Sequence, residues 1–171
     1  MKKYWIIVTV FFASCSMAPE KYFDQAVLNS NMMVGFAGNG MERELEQPSA
    51  KLVEGSTEKT EPMKRKEVIE NKIKFMEEAF GKVKELSENN DTKEILQASR
   101  ALYELVLPVY KTEYVQLAKL YDDNAPKEQI EALQKSIHDS YASRFEALYA
   151  KLIAAGKPYA AKHNINVRWS E

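Results

Sequence analysis

The strongest constraint on the fold is the spacing of apolar residues in the second half of the chain. Between residues 62 and 86, apolar side chains recur every three or four positions, at Ile69, Ile73, Met76, Phe80 and Val83. This spacing places them along one side of an α-helix. Residues 92–121 and 126–155 carry similar stripes, and clusters of turn-forming residues separate the three stretches. The sequence therefore predicts three helices of similar length.

Helices of matched length joined by short turns favour antiparallel neighbours. We therefore predict an all-α fold, an antiparallel up-down-up three-helix bundle over residues 62–171. Residues 19–34 have the spacing of a short extra N-terminal helix, and residues 41–47 are expected to form another short helix. Residues 165–169 alternate between apolar and polar side chains, as in a small extended C-terminal tail. We expect this tail to pair with residues 52–53.

Proline and glycine predict where the long helices begin, bend and end. Thr60 is the expected N-cap of the first helix, with Pro62 in its first turn. Pro108 lies inside the second helix, where it removes a backbone hydrogen bond, so a kink or break is expected near Leu107. Gly156 is the expected C-cap of the third helix.

The first fifteen residues have the pattern of an export signal. Lys2 and Lys3 precede an apolar run over residues 4–13, and this order is typical of a signal peptide. The run is shorter than the roughly 20 residues that a permanent bilayer-spanning helix needs.

The residues that end this run, Phe12-Ala13-Ser14-Cys15, resemble the lipobox of bacterial lipoproteins, with phenylalanine in place of the usual leucine. The resemblance covers residues 1–15 alone. It implies cleavage before Cys15, a diacylglycerol on that cysteine, and attachment to a membrane through the lipid. Because Ser16 is not an inner-membrane retention residue, the same resemblance implies the outer membrane, and we expect its periplasmic face. Ordinary signal-peptidase cleavage after Ala18 is the alternative.

The charge pattern divides the rest of the chain. Acidic residues outnumber basic ones from residue 16 to residue 61, whereas the two are balanced afterwards, and residues 54–61 are entirely polar. We therefore predict a signal peptide at 1–14, a tether with a short helix at 15–61, and the helical domain at 62–171. Cys15 is the only cysteine, so the domain is stabilised by apolar packing without an internal disulfide.

Composition and motifs argue against several classes of function. Basic and acidic residues number 24 and 25, which provides no excess positive charge for nucleic acid. Neither His138 nor His163 has the spacing of a di-metal bundle site. Gly38 and Gly40 lack the remaining pattern of a nucleotide-binding loop. We therefore expect no enzymatic activity, no metal and no cofactor beyond the lipid on Cys15.

Two sets of residues are candidates for partner binding. The first lies in the apolar stretch at Met32, Met33 and Phe36; this stretch either packs against the helices or docks a partner. The second consists of tyrosines that share one face of the second helix, namely Tyr103, Tyr110, Tyr114 and Tyr121. Tyrosine suits both core packing and a binding face, so both interpretations remain.

These observations predict a membrane-anchored lipoprotein of the cell envelope. Its expected function is that of a non-enzymatic scaffold or adaptor, with another envelope protein as partner. The alternative is a periplasmic chaperone-like or glycan-binding helical module that uses the tyrosine face.

Overall fold

A computed structural model describes residues 17–169. Its α-helices and strands are, in chain order, α1 (Pro19–Ala26), α2 (Asn39–Glu46), β1 (Ala50–Leu52), β2 (Thr60–Pro62), α3 (Arg65–Glu85), α4 (Lys93–Val109), α5 (Val115–Asp122) and α6 (Lys127–Lys162). A 3₁₀ helix, Leu28–Met33, follows α1, and a π-helical turn, Tyr110–Tyr114, joins α4 to α5. Helices dominate, as the all-α prediction requires, and the two strands form one small hairpin.

The apolar stripe predicted for the first long helix faces the core. Ile69, Met76 and Val83 of α3 are buried, and Ile73 and Phe80 are half-buried. Lysine and glutamate occupy most of the opposite side, which faces water. Burial of this stripe against the rest of the protein stabilises α3 more than helix propensity alone does.

A kink or break was expected near Leu107; the second long helix has no break there and continues through Pro108. The backbone stays helical and then widens into the π-helical turn directly after α4 ends. Thr112 Oγ1 donates a hydrogen bond of 2.9 Å to the Pro108 carbonyl. The proline thus costs the helix one backbone hydrogen bond, and the wider turn absorbs the local change in geometry.

The third long helix continues past its predicted end at Gly156. It also includes Pro158 and ends at Lys162. Gly156 is buried, and a Cβ atom at this position would lie 3.4 Å from side-chain atoms of both Phe23 and Val27. The glycine therefore permits close approach of α1 to α6 and does not terminate the helix.

The N-terminal segment from residue 19 to residue 46 belongs to the folded core, unlike the predicted tether at 15–61. Phe23, Met33 and Leu45 are fully buried in it. The segment contacts α3 and α4 through α1, and α5 through α2. Its apolar side chains need this burial, because left in water they would expose a large apolar surface. The compact unit therefore begins near Pro19.

Of the three long helical segments, the one formed by α4 and α5 is central and contacts the other two, α3 and α6. α4 packs against both α3 and α6, and α5 also contacts both of them. The N-terminal segment links α3 and α6, through an ion pair of 3.0 Å between Glu44 and Lys72 on one side and the Phe23–Tyr159 contact on the other. It thus adds a further layer to the packing of the three long segments.

The hairpin shows that two predictions from the sequence were wrong, namely the pairing of the C-terminal tail and the start of the first long helix. β1 pairs antiparallel with β2, with Ala50 opposite Pro62, whereas pairing of residues 52–53 with residues 165–169 was expected. Thr60 and Pro62 are consequently part of a strand, and α3 begins at Arg65. Pairing across a short turn costs much less loop-closure entropy than pairing across more than a hundred residues.

A side chain distant in sequence caps α3. The Asp122 carboxylate accepts hydrogen bonds from the backbone N–H groups of Arg65 (2.9 Å) and Lys66 (3.0 Å). We expect Asp122→Ala to lower the free energy of unfolding by about 1–2 kcal/mol, because two helix-terminal donors lose their acceptor. Urea denaturation followed by circular dichroism measures this change.

Asp123→Ala is the matched control for this prediction. Asp123 is exposed and pairs with Lys119 on the neighbouring turn of helix, an interaction that contributes about 0.5 kcal/mol or less. Equal losses at the two positions would contradict the capping role of Asp122.

Candidate functional site

The two predicted binding sets contact each other inside the protein. The Phe36 ring centroid lies 5.9 Å from those of both Tyr110 and Tyr114, and 5.2 Å from that of Phe145. Met33, Phe36, Tyr110 and Tyr114 are all buried. Met33 and Phe36 of the apolar stretch and the central part of the tyrosine face thus cover one another, whereas Val34 of the same stretch is 63% exposed.

The outer members of these two sets differ in exposure. Tyr103 is fully buried and stacks on Phe80 at 5.1 Å between ring centroids; burial raises the pKa of its hydroxyl. Met32 and Tyr121 are half-buried. The Tyr121 hydroxyl accepts a hydrogen bond of 3.0 Å from Gln134 Nε2. Tyr103 therefore packs in the core, and Met32 and Tyr121 pack at its rim.

Ala37 is the residue through which two hydrogen bonds join the N-terminal segment to the long helices. Its backbone is in the left-handed region, with φ +53°. The Ala37 N–H donates to the Tyr114 hydroxyl at 2.9 Å, and His138 Nδ1 donates to the Ala37 carbonyl at 2.8 Å. Burial raises the pKa of Tyr114 to about 12, so its hydroxyl stays neutral and able to accept. Tyr114 and His138 therefore fix this turn of backbone.

No local pattern in the sequence predicts these two hydrogen bonds to the Ala37 backbone. Ala37 is a small residue in a glycine-containing stretch and lies more than seventy positions from Tyr114 and a hundred from His138. Its left-handed conformation is unusual for a residue other than glycine, asparagine or aspartate. His138, which lacked the spacing of a metal ligand, instead holds the Ala37 carbonyl in place.

A groove beside the π-helical turn holds a carboxylate and a phenol in contact. Tyr141 donates to Glu113 Oε1 at 2.6 Å, and Thr112 also donates to this carboxylate. Burial alone would raise the pKa of Glu113, but these two hydrogen bonds and one from the Glu113 backbone together outweigh it, and the pKa is lowered. A general base usually needs a pKa near neutrality. This carboxylate stays ionised and is better suited to holding Tyr141 than to moving protons.

A second, larger groove lies between the N-terminus of α3 and α5. It has a volume of about 570 Å³, and Lys64, Lys66, Val115, Lys119 and Asp123 are among its lining residues. The three lysines are exposed. Asp122, also in this groove, is already engaged in capping α3. The groove therefore places three exposed cationic side chains around one apolar residue, and two of them, Lys66 and Lys119, pair with Glu70 and Asp123 on the surface.

The end of the body at which α1 begins has a different composition. α1 begins at Pro19, and the Tyr22 hydroxyl donates to the Ser87 carbonyl, 3.2 Å away, in the turn between α3 and α4. Trp169 packs edge-on against Phe23, with 5.9 Å between ring centroids. The Lys157 ammonium lies 5.8 Å from the Trp169 ring centroid. Aromatic and basic side chains thus meet beside the start of α1.

Within residues 17–169 there is no group of three or more histidine, cysteine, aspartate or glutamate side chains placed to hold a metal ion. The helices in this part of the chain include none that is both long and apolar enough to cross a membrane. Comparison with protein-family models, characterised proteins and solved structures finds no match to this chain.

Proposed function

We propose that this protein is a lipoprotein of the bacterial cell envelope that acts as a non-enzymatic scaffold or adaptor. Cys15 would carry the lipid and hold the protein on the periplasmic face of the outer membrane. Another envelope protein would be the partner. The lipobox-like residues before Cys15 support the anchor, and the arrangement of the folded body supports the adaptor role.

One observation carries the adaptor role: the start of the body and the lysine-lined groove lie at opposite ends of α3. Tyr22 of α1 contacts Ser87, just after the C-terminus of α3, whereas Lys64 and Lys66 of the groove lie at its N-terminus. The 21 residues of α3 separate these ends by about 30 Å at ~1.5 Å per residue. A chain anchored at Cys15 would therefore present the groove away from its anchor.

The helical arrangement supports the same role. We infer that α3, the α4–α5 segment and α6 form an up-down-up bundle to which the N-terminal segment is added as a fourth layer. Such a body is stiff, because its elements share one core. The glycan-binding or chaperone-like alternative would need exposed tyrosines, yet Tyr103, Tyr110 and Tyr114 are buried, so we do not propose it.

The anchor is tested first, by intact-mass analysis of the protein purified from envelopes and by labelling with an alkyne-tagged fatty acid. We expect a mature chain that begins at Cys15 and carries lipid, and we expect Cys15→Ser to abolish labelling. An unmodified mature chain that begins at Pro19 would overturn the anchor.

The adaptor role is tested by capture of the full lipidated protein from native envelopes in mild detergent. We expect one stoichiometric protein partner that is lost from the triple variant Lys64→Glu, Lys66→Glu, Lys119→Glu. The matched control is Lys127→Glu, Lys135→Glu, Lys151→Glu, which changes the same net charge on exposed positions of α6. Absence of any stoichiometric partner would contradict the proposal. Equal loss of the partner in both variants would show that the groove is not the binding site.

Deletion of residues 32–36 would be a poor test of partner binding. Met33 and Phe36 belong to the core, so the deletion would destabilise the whole protein and abolish any interaction indirectly. Substitutions at exposed lysines avoid this difficulty.

A further inference from the structure

We propose that the end of the body formed by the start of α1, the α3–α4 turn and the C-terminal tail lies directly against the lipid headgroups of the anchoring membrane. Trp169 and Lys157 would be its contacts with the interface. This inference rests on the proposed lipidation of Cys15. It differs from a tethered arrangement, in which a flexible segment would let the body move freely above the membrane.

The length of chain between the lipid and the body carries the argument. Residues 16–18 separate Cys15 from Pro19, where α1 begins. Even fully extended, these four peptide links span no more than about 14 Å. The headgroup layer of one leaflet is itself about 5–7 Å thick, and a helix with its side chains is about 10 Å wide. The start of α1 therefore lies no more than about 9 Å beyond the headgroups, and half the width of the helix brings its surface to within a few ångström of them.

Tertiary contacts determine which residues share this end with Pro19. Tyr22 lies against Ser87 of the α3–α4 turn and against Tyr159 near the C-terminus of α6, with 5.8 Å between the tyrosine ring centroids. The tail after α6 folds back so that Trp169 contacts Phe23. Two distant parts of the sequence therefore join α1 at the surface nearest the anchor.

The chemistry of the tail fits a lipid interface. Residues 157–169 include Lys157, Lys162 and Arg168 and no aspartate or glutamate. Trp169 is half-buried, with Lys157 over its ring. Tryptophan is enriched at membrane–water interfaces because its ring is apolar and its N–H is polar. Basic side chains are attracted to anionic headgroups.

Acidic residues also lie near this end, and two of them have basic partners within the protein. Asp91 pairs with Lys162, and the hydrogen bond from that lysine lowers the pKa of Asp91. The Glu88 carboxylate lies 3.9 Å from Arg100 Nη1. Glu20 and Asp24 remain exposed on α1. Within residues 17–169, the basic partners of these acids do not include Lys157 or Arg168, which leaves both able to approach headgroups.

The chain supplies its own probe for this contact. It contains two tryptophans, Trp5 and Trp169, and cleavage before Cys15 would remove the first. In the mature lipoprotein, reconstituted into phosphatidylcholine–phosphatidylglycerol vesicles, tryptophan fluorescence would come from Trp169 alone. We expect a lipid with a nitroxide on its headgroup to quench most of this fluorescence.

The matched control moves the probe to the other end of the body, in the double variant Trp169→Phe, Leu52→Trp. Leu52 lies on the hairpin and is 57% exposed, so the substitution does not disturb the core. We expect its quenching by the same vesicles to be several-fold weaker. Weak quenching at both positions would overturn the inference, since the body would then stand off the membrane, and strong quenching at both would overturn the end-on contact.

Intact mass of the reconstituted protein separates these outcomes from failure of the proposed anchor. A lipidated chain with unquenched Trp169 refutes the membrane contact but leaves the anchor in place. A chain without lipid refutes the anchor itself, and the membrane contact with it.

Discussion

Phe23→Ala is expected to lower the free energy of unfolding by about 3–5 kcal/mol, as removal of a large buried aromatic side chain does in other proteins. The Phe23 side chain is fully buried. Its ring stacks on Tyr159, packs edge-on against Trp169 and lies against Gly156. The substitution leaves a cavity between α1, α6 and the C-terminal tail. Chemical denaturation followed by circular dichroism measures the loss.

Asp24→Ala is the matched control, because Asp24 is the next residue of α1 and is exposed. We expect this change to alter the free energy of unfolding by no more than about 0.5 kcal/mol. If Phe23→Ala cost no more than Asp24→Ala, the N-terminal segment would be a tether and not part of the core.

The second large effect is expected at a pair of glycines, Gly35 in the turn before α2 and Gly40 in the first turn of α2. Gly35 has φ +89°, and a Cβ atom on it would lie 2.9 Å from the Gly40 Cα; a Cβ on Gly40 would lie 2.8 Å from the Gly35 Cα. Both distances are too short for carbon atoms, and the obstacle is backbone that cannot move aside easily. We expect Gly35→Ala to lower the free energy of unfolding by about 2–4 kcal/mol, from left-handed backbone and overpacking together. Chemical denaturation measures this loss as well.

Two other substitutions separate the cost of the left-handed backbone from the cost of overpacking. Gly55 has φ +78°, but a Cβ atom on it would have nothing within 4 Å, so Gly55→Ala measures the conformational cost alone, about 1–2 kcal/mol. Gly40→Ala measures the steric cost without a left-handed backbone cost, since its φ is not positive; because Gly40 lies in α2, the higher helix propensity of alanine offsets this loss by up to about 1 kcal/mol. A loss for Gly35→Ala no larger than that for Gly55→Ala would show that the close backbone contact does not persist in solution.

Close packing also explains one of the two glycines, Gly38 and Gly40, that were compared with a nucleotide-binding loop. Gly40 is required by the approach of its backbone to that of Gly35, whereas a Cβ atom on Gly38 would meet nothing closer than 3.9 Å. In sequence, a glycine needed for close packing and one needed for phosphate binding look alike. The missing remainder of the nucleotide-binding pattern was therefore the useful observation, not the glycines themselves.

Partner-binding residues were harder to predict than helices for a related reason. An apolar stretch such as Met32, Met33 and Phe36 has the same composition whether it packs internally or docks a partner. Its burial depends on whether another surface of the same chain can cover it. Here Tyr110 and Tyr114 cover Phe36, so these parts of the two candidate surfaces bury each other.

The sequence by itself determined the three long helical segments and the short helix α2, because local periodicity and turn residues decide helix formation over short distances. It also contains the lipobox-like residues that end at Cys15. Only the tertiary structure decided that the N-terminal segment packs in the core, that the helices continue through Pro108 and past Gly156, and that Trp169 returns to α1. These features depend on contacts between distant residues, such as Phe23 with Gly156, whose packing outweighs the local preferences that sequence patterns report.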